Sequence, residues 1–399
     1  MAGKAKIVVS DLHLGAGFAQ AGNALEDFTK DEDFARFLDQ IKQESEVEGR
    51  EFELIIAGDM LEFLQVPATD TFDPRRRYPP QAYRPSSEDD SLKKLDLIIA
   101  GHPTFFAALR DFLAPAHPRR TVTIVKGNHD VNLHWGAVQD RLREVLGATG
   151  ERASLLTFEE RCVSREGIYV EHGNQYAERF NRFDNFEEPH DPVHEGQLVL
   201  VPGSRFVIDF FNQVERERYW VDGVKPLTAL IWYAFAFDFP FAVRALASFL
   251  RVAPLVLLSS LALGRTSHPS EDPTGAEPQR EFRGRVTAKT PAMALARREV
   301  AKAHSALYRA AEAKSREEGA RVVVFGHTHR ALSLPLGNGG QYLNAGTWVW
   351  VRDFSAEDEA TWRELFAHPE RFTEDRRLTY VRIDYDREGQ PWGRLLSLS

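Results

Sequence analysis

Short runs of Val and Ile place the strongest limit on this fold, because each run is long enough for a strand and too short for a helix. Five of the runs end in a polar cluster: KIVVSDLH (Lys6–His13), ELIIAGDM (Glu53–Met60), TVTIVKGNHD (Thr121–Asp130), GIYVEHGN (Gly167–Asn174) and RVVVFGHTH (Arg321–His329). Two further runs, QYLNAGTWVWV and RLTYVRIDYD, follow near the end of the chain. Their composition predicts seven buried strands.

Helical patterns lie between several of these predicted strands. They cover Asp31–Glu46, Ser91–Leu113 and Met293–Glu317. Strands that alternate with helices predict an α/β architecture. The chain has 399 residues, of which 43% are hydrophobic, and this is enough for one large domain or two ordinary ones with a sizeable core.

One long region interrupts the alternation, and no clear core strand is predicted from Gln175 to Pro291. Within it, RFVIDFFNQVERERYW predicts a helix. Leu227–Gly264 is rich in Phe, Leu and Ala, but charged residues and two prolines divide it into helices of roughly three turns rather than a membrane span. The predicted organisation is a core formed by 1–174 and 292–399, with a helical, hydrophobic insertion at 175–291.

Charge and cysteine content exclude several classes of protein. The net charge of −9 argues against a protein that coats long nucleic acid, because such binding depends on basic patches. The single cysteine, Cys162, allows no disulfide within the chain and no Cys-based zinc site. The N-terminus shows no signal-peptide pattern. A cytoplasmic location is therefore expected, with peripheral membrane contact left open.

Polar side chains of ligand type follow each of the five runs. The carboxyl ends of strands in an α/β sheet gather at one edge, where ligands bind, so these residues are expected to meet. The clusters comprise Asp11 and His13; Asp59; Asn128, His129 and Asp130; His172; and His327 and His329.

A mixture of carboxylate and imidazole ligands suits divalent transition metals better than calcium. Two such metals roughly 3.5–4 Å apart serve the displacement of a phosphoester. The candidate metal ligands are Asp11, His13, Asp59, Asn128, His172, His327 and His329.

A lone histidine is more often a hydrogen-bonded surface or core residue than a ligand. That interpretation is preferred for seven others, namely His102, His117, His134, His190, His194, His268 and His304. For the five strand-end clusters, the same interpretation would require that ligand-type residues follow all five strands, in this order, by coincidence.

The ordered set DLH, GDMLE, GNHD, EHGN and GHTH closely resembles the calcineurin-like metallophosphoesterase superfamily. The match covers Lys6 to about Asn174 and then Arg321 to Trp348. The resemblance implies a sandwich of two mixed β-sheets flanked by helices, which refines the α/β prediction.

The resemblance also implies roles for individual residues. Asp59 would bridge two metals, and His129 would donate a proton or orient the phosphate, with Asp130 as its partner. The first metal would be held by Asp11, His13 and His329, and the second by Asn128, His172 and His327.

The function implied is a phosphoester hydrolase that depends on two divalent metals, with manganese expected first and iron, zinc, cobalt or nickel as alternatives. A hydroxide held by the metals would attack phosphorus in line, and Asn128 and His129 would stabilise the phosphoryl charge. The other functions considered are a phosphoprotein phosphatase or nuclease of the same superfamily, and a non-catalytic scaffold.

The insertion follows His172 closely and is expected to emerge beside the metals. Its apolar content suggests a cap that selects an amphipathic or lipid-like phosphoester or pyrophosphate. Lipid-precursor pyrophosphohydrolases of the superfamily are similar in SDLHLG and in having a helical insertion, but they usually carry GNRD where this chain has GNHD. Membrane contact through 227–264, a homodimer interface and packing on the core are the alternatives for its apolar helices.

Overall fold

The computed structural model of this protein describes residues 4–177, 179–225, 227–250, 305–373 and 378–398. The described chain is a mixed α/β protein with two multi-stranded sheets. Residues 251–304 lie outside the described residues. They include the end of the apolar segment 227–264, the expected domain boundary at 291/292 and the first part of the helix expected over Met293–Glu317.

The seven predicted strands are all present within the described residues, together with six others. In chain order the strands are β1 (Lys4–Val9), β2 (Glu51–Ala57), β3 (Arg120–Val125), β4 (Leu156–Glu159), β5 (Cys162–Arg165), β6 (Ile168–Glu171), β7 (Val224–Lys225), β8 (Val322–Phe325), β9 (Leu332–Pro335), β10 (Gln341–Asn344), β11 (Arg352–Asp353), β12 (Thr379–Tyr385) and β13 (Pro391–Ser397).

The strands form two large mixed sheets and one small pair. The first sheet has the order β13-β12-β1-β2-β3-β4, in which β1 to β4 run parallel and β12 and β13 are antiparallel. The second has the order β5-β6-β8-β10-β9, with a parallel centre of β6, β8 and β10. The pair β11-β7 joins the insertion to the C-terminal part.

Both large sheets contribute to one buried apolar cluster. Val8, Ile55 and Val125 of the first sheet share it with Val170 and Val324 of the second, and all are fully buried. The sheets therefore pack face to face, and burial of these β-branched side chains favours the arrangement by about 1.5–3 kcal/mol per side chain. Because β1, β2, β3, β6 and β8 all supply this cluster, their ends are held in fixed relation.

The helices lie outside the sheets. Phe34, Phe37 and Leu109 of the first and third helices cover the outer face of the first sheet. The helices are α1 (Asp31–Glu48), α2 (Glu88–Gly101), α3 (Pro103–Leu113), α4 (Gly136–Val145), α5 (Pro202–Phe206), α6 (Asn212–Glu215), α7 (Leu227–Phe237), α8 (239–250), α9 (305–317), α10 (Glu359–Ala367) and α11 (Glu370–Thr373).

The single helix predicted over Ser91–Leu113 is two helices. It breaks at His102, where the backbone leaves the helical region before Pro103 begins α3. Proline has no N–H to donate and restricts the residue before it, so α2 ends there. Ser87 caps the N-terminus of α2 by accepting a hydrogen bond from the N–H of Asp90.

In the insertion, α7 packs its inner face on the C-terminal part of the chain. The Tyr233 ring stacks on Trp362 of α10 at 4.6 Å, and Leu230 and Ala234 are buried beside it. The opposite side of α7 exposes Ile231 and Trp232, which are 49% and 59% accessible. Packing on the core therefore accounts for one face of α7 and not for the other. Among the described residues, no helix is long and apolar enough to cross a membrane.

The loop after β1 is fixed by a buried ion pair. Glu26 accepts hydrogen bonds from the backbone N–H groups of Gly15 and Gly17, and its Oε1 lies 3.3 Å from His102 Nε2. The other ring nitrogen, His102 Nδ1, lies 2.9 Å from Asp31 Oδ1. Although burial lowers the pKa of His102, the two carboxylates raise it to about 9. His102 is thus structural, as the sequence predicted.

This pair gives a pH-dependent stability. A histidine whose folded pKa exceeds its ordinary value of 6.5 contributes stability below that value and loses it as the pH rises through about 9. We expect the free energy of unfolding to exceed that of His102→Asn by about 3 kcal/mol at pH 6 and by much less at pH 10. Denaturant unfolding of both proteins across this range measures the difference. A gap that does not change with pH would contradict the charged pair.

Candidate metal centre

Strand order explains why residues far apart in sequence meet at one edge. β1, β2 and β3 are parallel neighbours, so Asp11, Asp59 and Asn128 leave the first sheet side by side. β6 and β8 are parallel neighbours in the second sheet and deliver His172 and His327. The loops after β1 and β2 stay paired beyond the strands, because the N–H groups of Leu12 and His13 both donate to the carbonyl oxygen of Asp59 at 2.9 Å.

Five of the seven predicted ligands have left-handed backbone conformations. Their φ angles lie between 49° and 67°, at Asp11, His13, Asp59, His327 and His329. A residue with a Cβ atom in this region costs roughly 1–2 kcal/mol, and such strain concentrates at functional sites. The strained turns bring these side chains close to one another beyond the ends of the strands.

This strain can be measured at His329. We expect His329→Gly to be more stable than His329→Ala by roughly 0.5–1 kcal/mol, because glycine removes the steric cost of the positive φ. Denaturant unfolding of the two metal-free variants provides the comparison. The same two substitutions at His134, where φ is not positive, should give the opposite order. Equal stability of the two His329 variants would contradict the strain.

Two glycines are required because side chains of candidate metal ligands lie very close to their backbone. A Cβ atom on Gly58 would lie 2.5 Å from the ring of His172, and one on Gly127 would lie 2.2 Å from Asp59 Oδ1. Gly58 also has a φ of 84°. These contacts explain the glycines that precede the polar residues in GDM and GNHD.

The first group of side chains contains Asp11, His13 and His329. Asp11 Oδ1 lies 3.2 Å from His329 Nε2 and 3.9 Å from His13 Nε2, and the two imidazole nitrogens are 3.1 Å apart. Asp11 Oδ2 is already engaged by the hydroxyl of Ser10 and the N–H of His327. Oδ1 is buried and has no hydrogen-bond donor in the described structure.

The second group contains Asp59, Asn128, His172 and His327. His172 Nε2 lies 3.0 Å from Asp59 Oδ2 and 3.1 Å from Asn128 Oδ1. The rings of His172 and His327 meet edge to face at 5.2 Å. Asp59, His172 and His327 each offer a ligand atom within 4.8 Å of the others, as do Asp11, His13 and His329 in the first group.

Asp59 lies between the two groups. Its Oδ2 is 3.0 Å from His172 Nε2 and 3.8 Å from His13 Nε2, while its Oδ1 accepts a hydrogen bond from the N–H of His129. This position is the one required of a carboxylate that touches two cations.

The chemistry of the converging atoms fits cations. His172 Nδ1 lies 3.0 Å from the carbonyl oxygen of Ala57, which can only accept, so Nδ1 carries the hydrogen. In the neutral ring, Nε2 then directs a lone pair at the oxygens of Asp59 and Asn128. Three acceptors that face one another repel unless a proton or a metal lies between them. The same holds for His13 Nε2 beside Asp11 and Asp59.

Electrostatics also favour cations here. Burial raises the pKa of Asp59, but the neighbouring histidines outweigh it and hold the pKa below its usual range. Burial likewise raises the pKa of Glu62, and His129 and His13 lower it to about 2. With Asp11, whose pKa is also lowered, the centre holds three buried carboxylates that stay ionised at neutral pH.

The expected pairing of His129 with Asp130 is wrong. Nδ1 of His129 lies 2.6 Å from Glu62 Oε2. Asp130 accepts instead from backbone N–H groups, those of Gly127 at 2.6 Å and Met60 at 2.8 Å. Burial and the charge of Asp59 raise the pKa of Asp130 to about 6. Asp130 therefore joins the turns after β2 and β3, and Glu62 occupies the position expected of it.

Sequence reasoning missed two residues at the centre. Glu62 is the last residue of GDMLE, but no role was predicted for it although it lies three positions after Asp59. Asn181, in the insertion, places its side-chain amide nitrogen 3.5 Å from His327 Nε2. No signal in the sequence indicated Asn181, while the expectation that the insertion emerges beside the centre agrees with this contact.

Several other residues lie where the sequence predicted. His134 and His190 contact each other at 3.2 Å away from the centre, and His194 contacts Asp191. His268 and His304 are outside the described residues. Comparison with known proteins adds no identification, because no family model and no curated protein matches the chain.

Proposed function

We propose that this protein is a two-metal-dependent phosphoester hydrolase of the calcineurin-like metallophosphoesterase superfamily, with the two-sheet sandwich of that superfamily. The observation that carries the proposal is the convergence of acceptor-only atoms in two groups joined by Asp59. The ordered sequence blocks and the left-handed turns that present them support the same conclusion.

The first cation would be held by Asp11, His13 and His329, and the second by Asn128, His172 and His327, with Asp59 shared. Manganese is the metal proposed first, since mixed carboxylate and imidazole sites also take iron, zinc, cobalt or nickel. When bound, such a pair supplies positive charge to the phosphoryl oxygens and lowers the pKa of water.

Two side chains of the protein, Asn128 and His129, would then act directly on the substrate. Asn128 directs its Oδ1 at His172, so its amide N–H groups are the donors that face a phosphoryl oxygen. His129 holds its Nδ1 on Glu62 and has a partly exposed side chain at the rim of the centre. In the protonated imidazolium, Nε2–H would then transfer its proton to the oxygen of the leaving group and leave a neutral ring whose Nδ1–H stays on Glu62.

The proposed substrate is amphipathic. α7 and α8 expose Trp232, Phe239 and Leu250, each about 60% accessible. Exposed apolar side chains on neighbouring helices are typical of a surface that binds lipid or another apolar partner. The insertion also reaches the centre through Asn181, so one segment joins the apolar surface to the site of hydrolysis.

The exposed side chains provide a test of this substrate class. We expect Trp232→Ser with Phe239→Ser to weaken flotation with anionic phospholipid vesicles by roughly 30-fold, which corresponds to about 2 kcal/mol of apolar burial. The control is Val47→Ser with Val193→Ser, two residues that are 87% and 79% exposed elsewhere. If the wild type ignores vesicles and the Trp232 variant turns a dimer into a monomer, the surface is a homodimer interface.

The hydrolase itself is tested by metal content and by a substrate panel. Purified protein is expected to bind two divalent cations per chain and to hydrolyse at least one of a phosphomonoester, a phosphodiester or a pyrophosphate in the presence of manganese. His172→Ala should lose the second cation preferentially. Two bound cations without hydrolysis of any member would favour the non-catalytic scaffold.

A nuclease or phosphoprotein phosphatase of the same superfamily remains the second candidate, with the net charge of −9 against binding to long nucleic acid. Single-stranded DNA and a phosphopeptide belong in the panel for this reason. Turnover of either above that of small phosphoesters would replace the amphipathic substrate.

A further inference from the structure

The face of the first sheet that packs against the second sheet changes character along its parallel strands. Near the carboxyl ends of the strands this inner face is apolar and carries Val8, Ile55 and Val125 of the shared core. Every second residue of a strand shares a face, and toward the amino ends the residues on the inner face are polar. On β1 to β4 they are Lys4, Lys6, Glu51, Glu53, Thr121, Thr123, Thr157 and Glu159.

This polarity does not simply mark the end of the sheet, because the outer face of the same strands stays apolar. Phe52, Leu54 and Val122 are buried there. The strands β5 and β6 of the second sheet have four residues each, whereas β1, β2 and β3 have six or seven. The amino end of the inner face is therefore only partly covered, and a cavity of about 250 Å³ lies against it.

A buried network of charged side chains forms the base of this cavity. Glu53 accepts hydrogen bonds from Lys6 and Arg165 and from the hydroxyl of Thr123. Lys6 is fully buried, and Glu53 is 3% exposed. Burial raises the pKa of Glu53, but Lys6, Thr123 and Arg165 outweigh it and lower the pKa. Because Glu53 is ionised and already paired, the base of the cavity provides no free carboxylate for a cation.

The charge of the lining favours an anion instead. Three basic and two acidic side chains line the cavity, which leaves a surplus of one positive charge. Lys4 is paired with Glu166 at 2.7 Å, and Arg165 is paired with Glu53. The charged side chains of the lining are Lys4, Glu51, Glu53, Arg119 and Arg165.

Arg119 is the basic side chain of this lining that forms no ion pair with any residue that the structure describes. Its Nη2 donates to the backbone carbonyl oxygen of Ser154 at 3.3 Å and to the hydroxyl of the same residue at 3.1 Å. The N–H groups on Nε and Nη1 remain for a ligand. Thr121 and Thr157 add hydroxyl groups from β3 and β4. A guanidinium beside hydroxyl groups matches the oxygens of a carboxylate or phosphate group.

We propose that this cavity binds a small molecule that carries a phosphate or carboxylate group, with Arg119 as the residue that binds its oxyanion. The volume is just below that of pockets for drug-sized ligands, so the ligand is small. The cavity lies at the amino ends of β2 and β3, and the candidate metal centre lies beyond their carboxyl ends, about 20 Å away. The site is therefore separate from the centre and does not depend on the proposed hydrolase.

The experiment is calorimetric titration of the full-length protein with glycerol 3-phosphate, succinate and uncharged glycerol. The protein is dialysed free of metal and chelator, so that the ionised carboxylates of the candidate metal centre repel anions. We expect at least one of the two anions to bind once per chain with a Kd of roughly 1 mM or tighter, and glycerol not to bind. The tighter anion identifies the group, and the backbone amide shift of Thr121 locates it.

Two substitutions test the cavity without disturbing its buried base, because both positions are exposed. Arg119→Gln should weaken binding of the anion by about 10–100-fold through the loss of charge-assisted hydrogen bonds. Thr157→Trp should block binding by filling the cavity while every charge is kept. The matched control is Arg110→Gln, an arginine that is 58% exposed on α3 and does not line the cavity. It should keep the affinity of the wild type.

Binding of neither anion would overturn the proposal and leave the cavity as a solvent-filled end of the sandwich. Equal affinity for glycerol would also overturn it, as would unchanged affinity in Arg119→Gln or in Thr157→Trp. The same loss in Arg110→Gln would show that the anion responds to overall charge rather than to this cavity. None of these measurements requires turnover or a bound metal, so the proposal and the proposed hydrolase can fail independently.

Discussion

His129→Ala is expected to keep two bound cations and to lose roughly 10²–10⁴-fold of its turnover on an alkyl phosphate, the usual contribution of a general acid. The reason is geometric. His129 binds Glu62 through Nδ1 and has a partly exposed side chain, so its Nε2 can serve a leaving group that has no other proton source.

A comparison of two esters with different leaving groups tests the proton-donor role within the same variant. An aryl phosphate releases an oxygen anion that hardly requires a proton, so the same variant should retain much more of its turnover on an aryl ester. A uniform loss on both esters would point to orientation of the phosphate rather than proton donation. Wild-type turnover on the alkyl ester would refute the role of His129.

The metal content of His129→Ala also tests whether His129 binds a cation. His129 also offers a ligand atom within 4.8 Å of those of His13 and Asp59, so the structure permits it to bind a cation. Loss of one cation from His129→Ala would identify it as a ligand instead of a proton donor. His134→Ala is the control, because His134 lies five positions further along the chain and contacts His190 rather than the centre.

The sequence predicts that these side chains converge because strand ends are local features. Each block couples an apolar run, which must be buried, to polar residues directly after it, and parallel neighbours bring such ends together. The blocks DLH and HTH each supply two candidate ligands, and in both the residues have left-handed backbones. Sequence patterns do not reveal these φ angles, since aspartate and histidine are not residues that signal a positive φ as strongly as glycine does.

The pairing of His129 was mispredicted for a different reason. Adjacency in GNHD suggested Asp130, yet adjacent side chains after a strand point in different directions. Asp130 turns toward the N–H groups of Gly127 and Met60, and Glu62 reaches His129 from the neighbouring loop. Contacts between loops depend on how the loops pack together. The sequence of one loop does not indicate which residue of another loop it will contact.

Several strands escaped the sequence prediction because they are half exposed rather than continuous apolar runs. β4, β5 and β9 have few apolar residues. β13 carries Pro391 and Gly393, which are unfavourable in strands, at the edge of the first sheet where they are tolerated. Pro103 marks the break between α2 and α3 in the sequence. The prediction of one continuous helix did not take account of the missing N–H of proline.

The largest effect is expected from Asp59→Asn. Asparagine keeps the shape of aspartate, and its Oδ1 can still accept from the N–H of His129. Its NH₂ group would then face Nε2 of His172 and His13 and donate where a cation would bind. The variant should fold, bind neither cation tightly and lose roughly 10⁴-fold or more of its turnover, since each cation lowers the barrier by several kcal/mol.

Thermal unfolding with and without manganese makes this prediction independent of the substrate. A ligand that binds only the folded state stabilises it by about 2.7 kcal/mol at 100 times its Kd, so Tm of the wild type should rise with manganese and that of Asp59→Asn should not. Without metal, Asp59→Asn should be less stable than the wild type, because the histidines that lower the pKa of Asp59 stabilise its charged form and lose that partner.

The control for this variant is Asp130→Asn. Its carboxylate accepts from the N–H groups of Gly127 and Met60, so the amide should lower the stability of the metal-free protein and leave the rise in Tm with manganese intact. The two variants are therefore expected to differ in their response to manganese, although the chemical change, a buried carboxylate to an amide, is the same. A rise in Tm with manganese in Asp59→Asn equal to that of the wild type would remove Asp59 from the centre and, with it, the bridge on which the two-metal proposal depends.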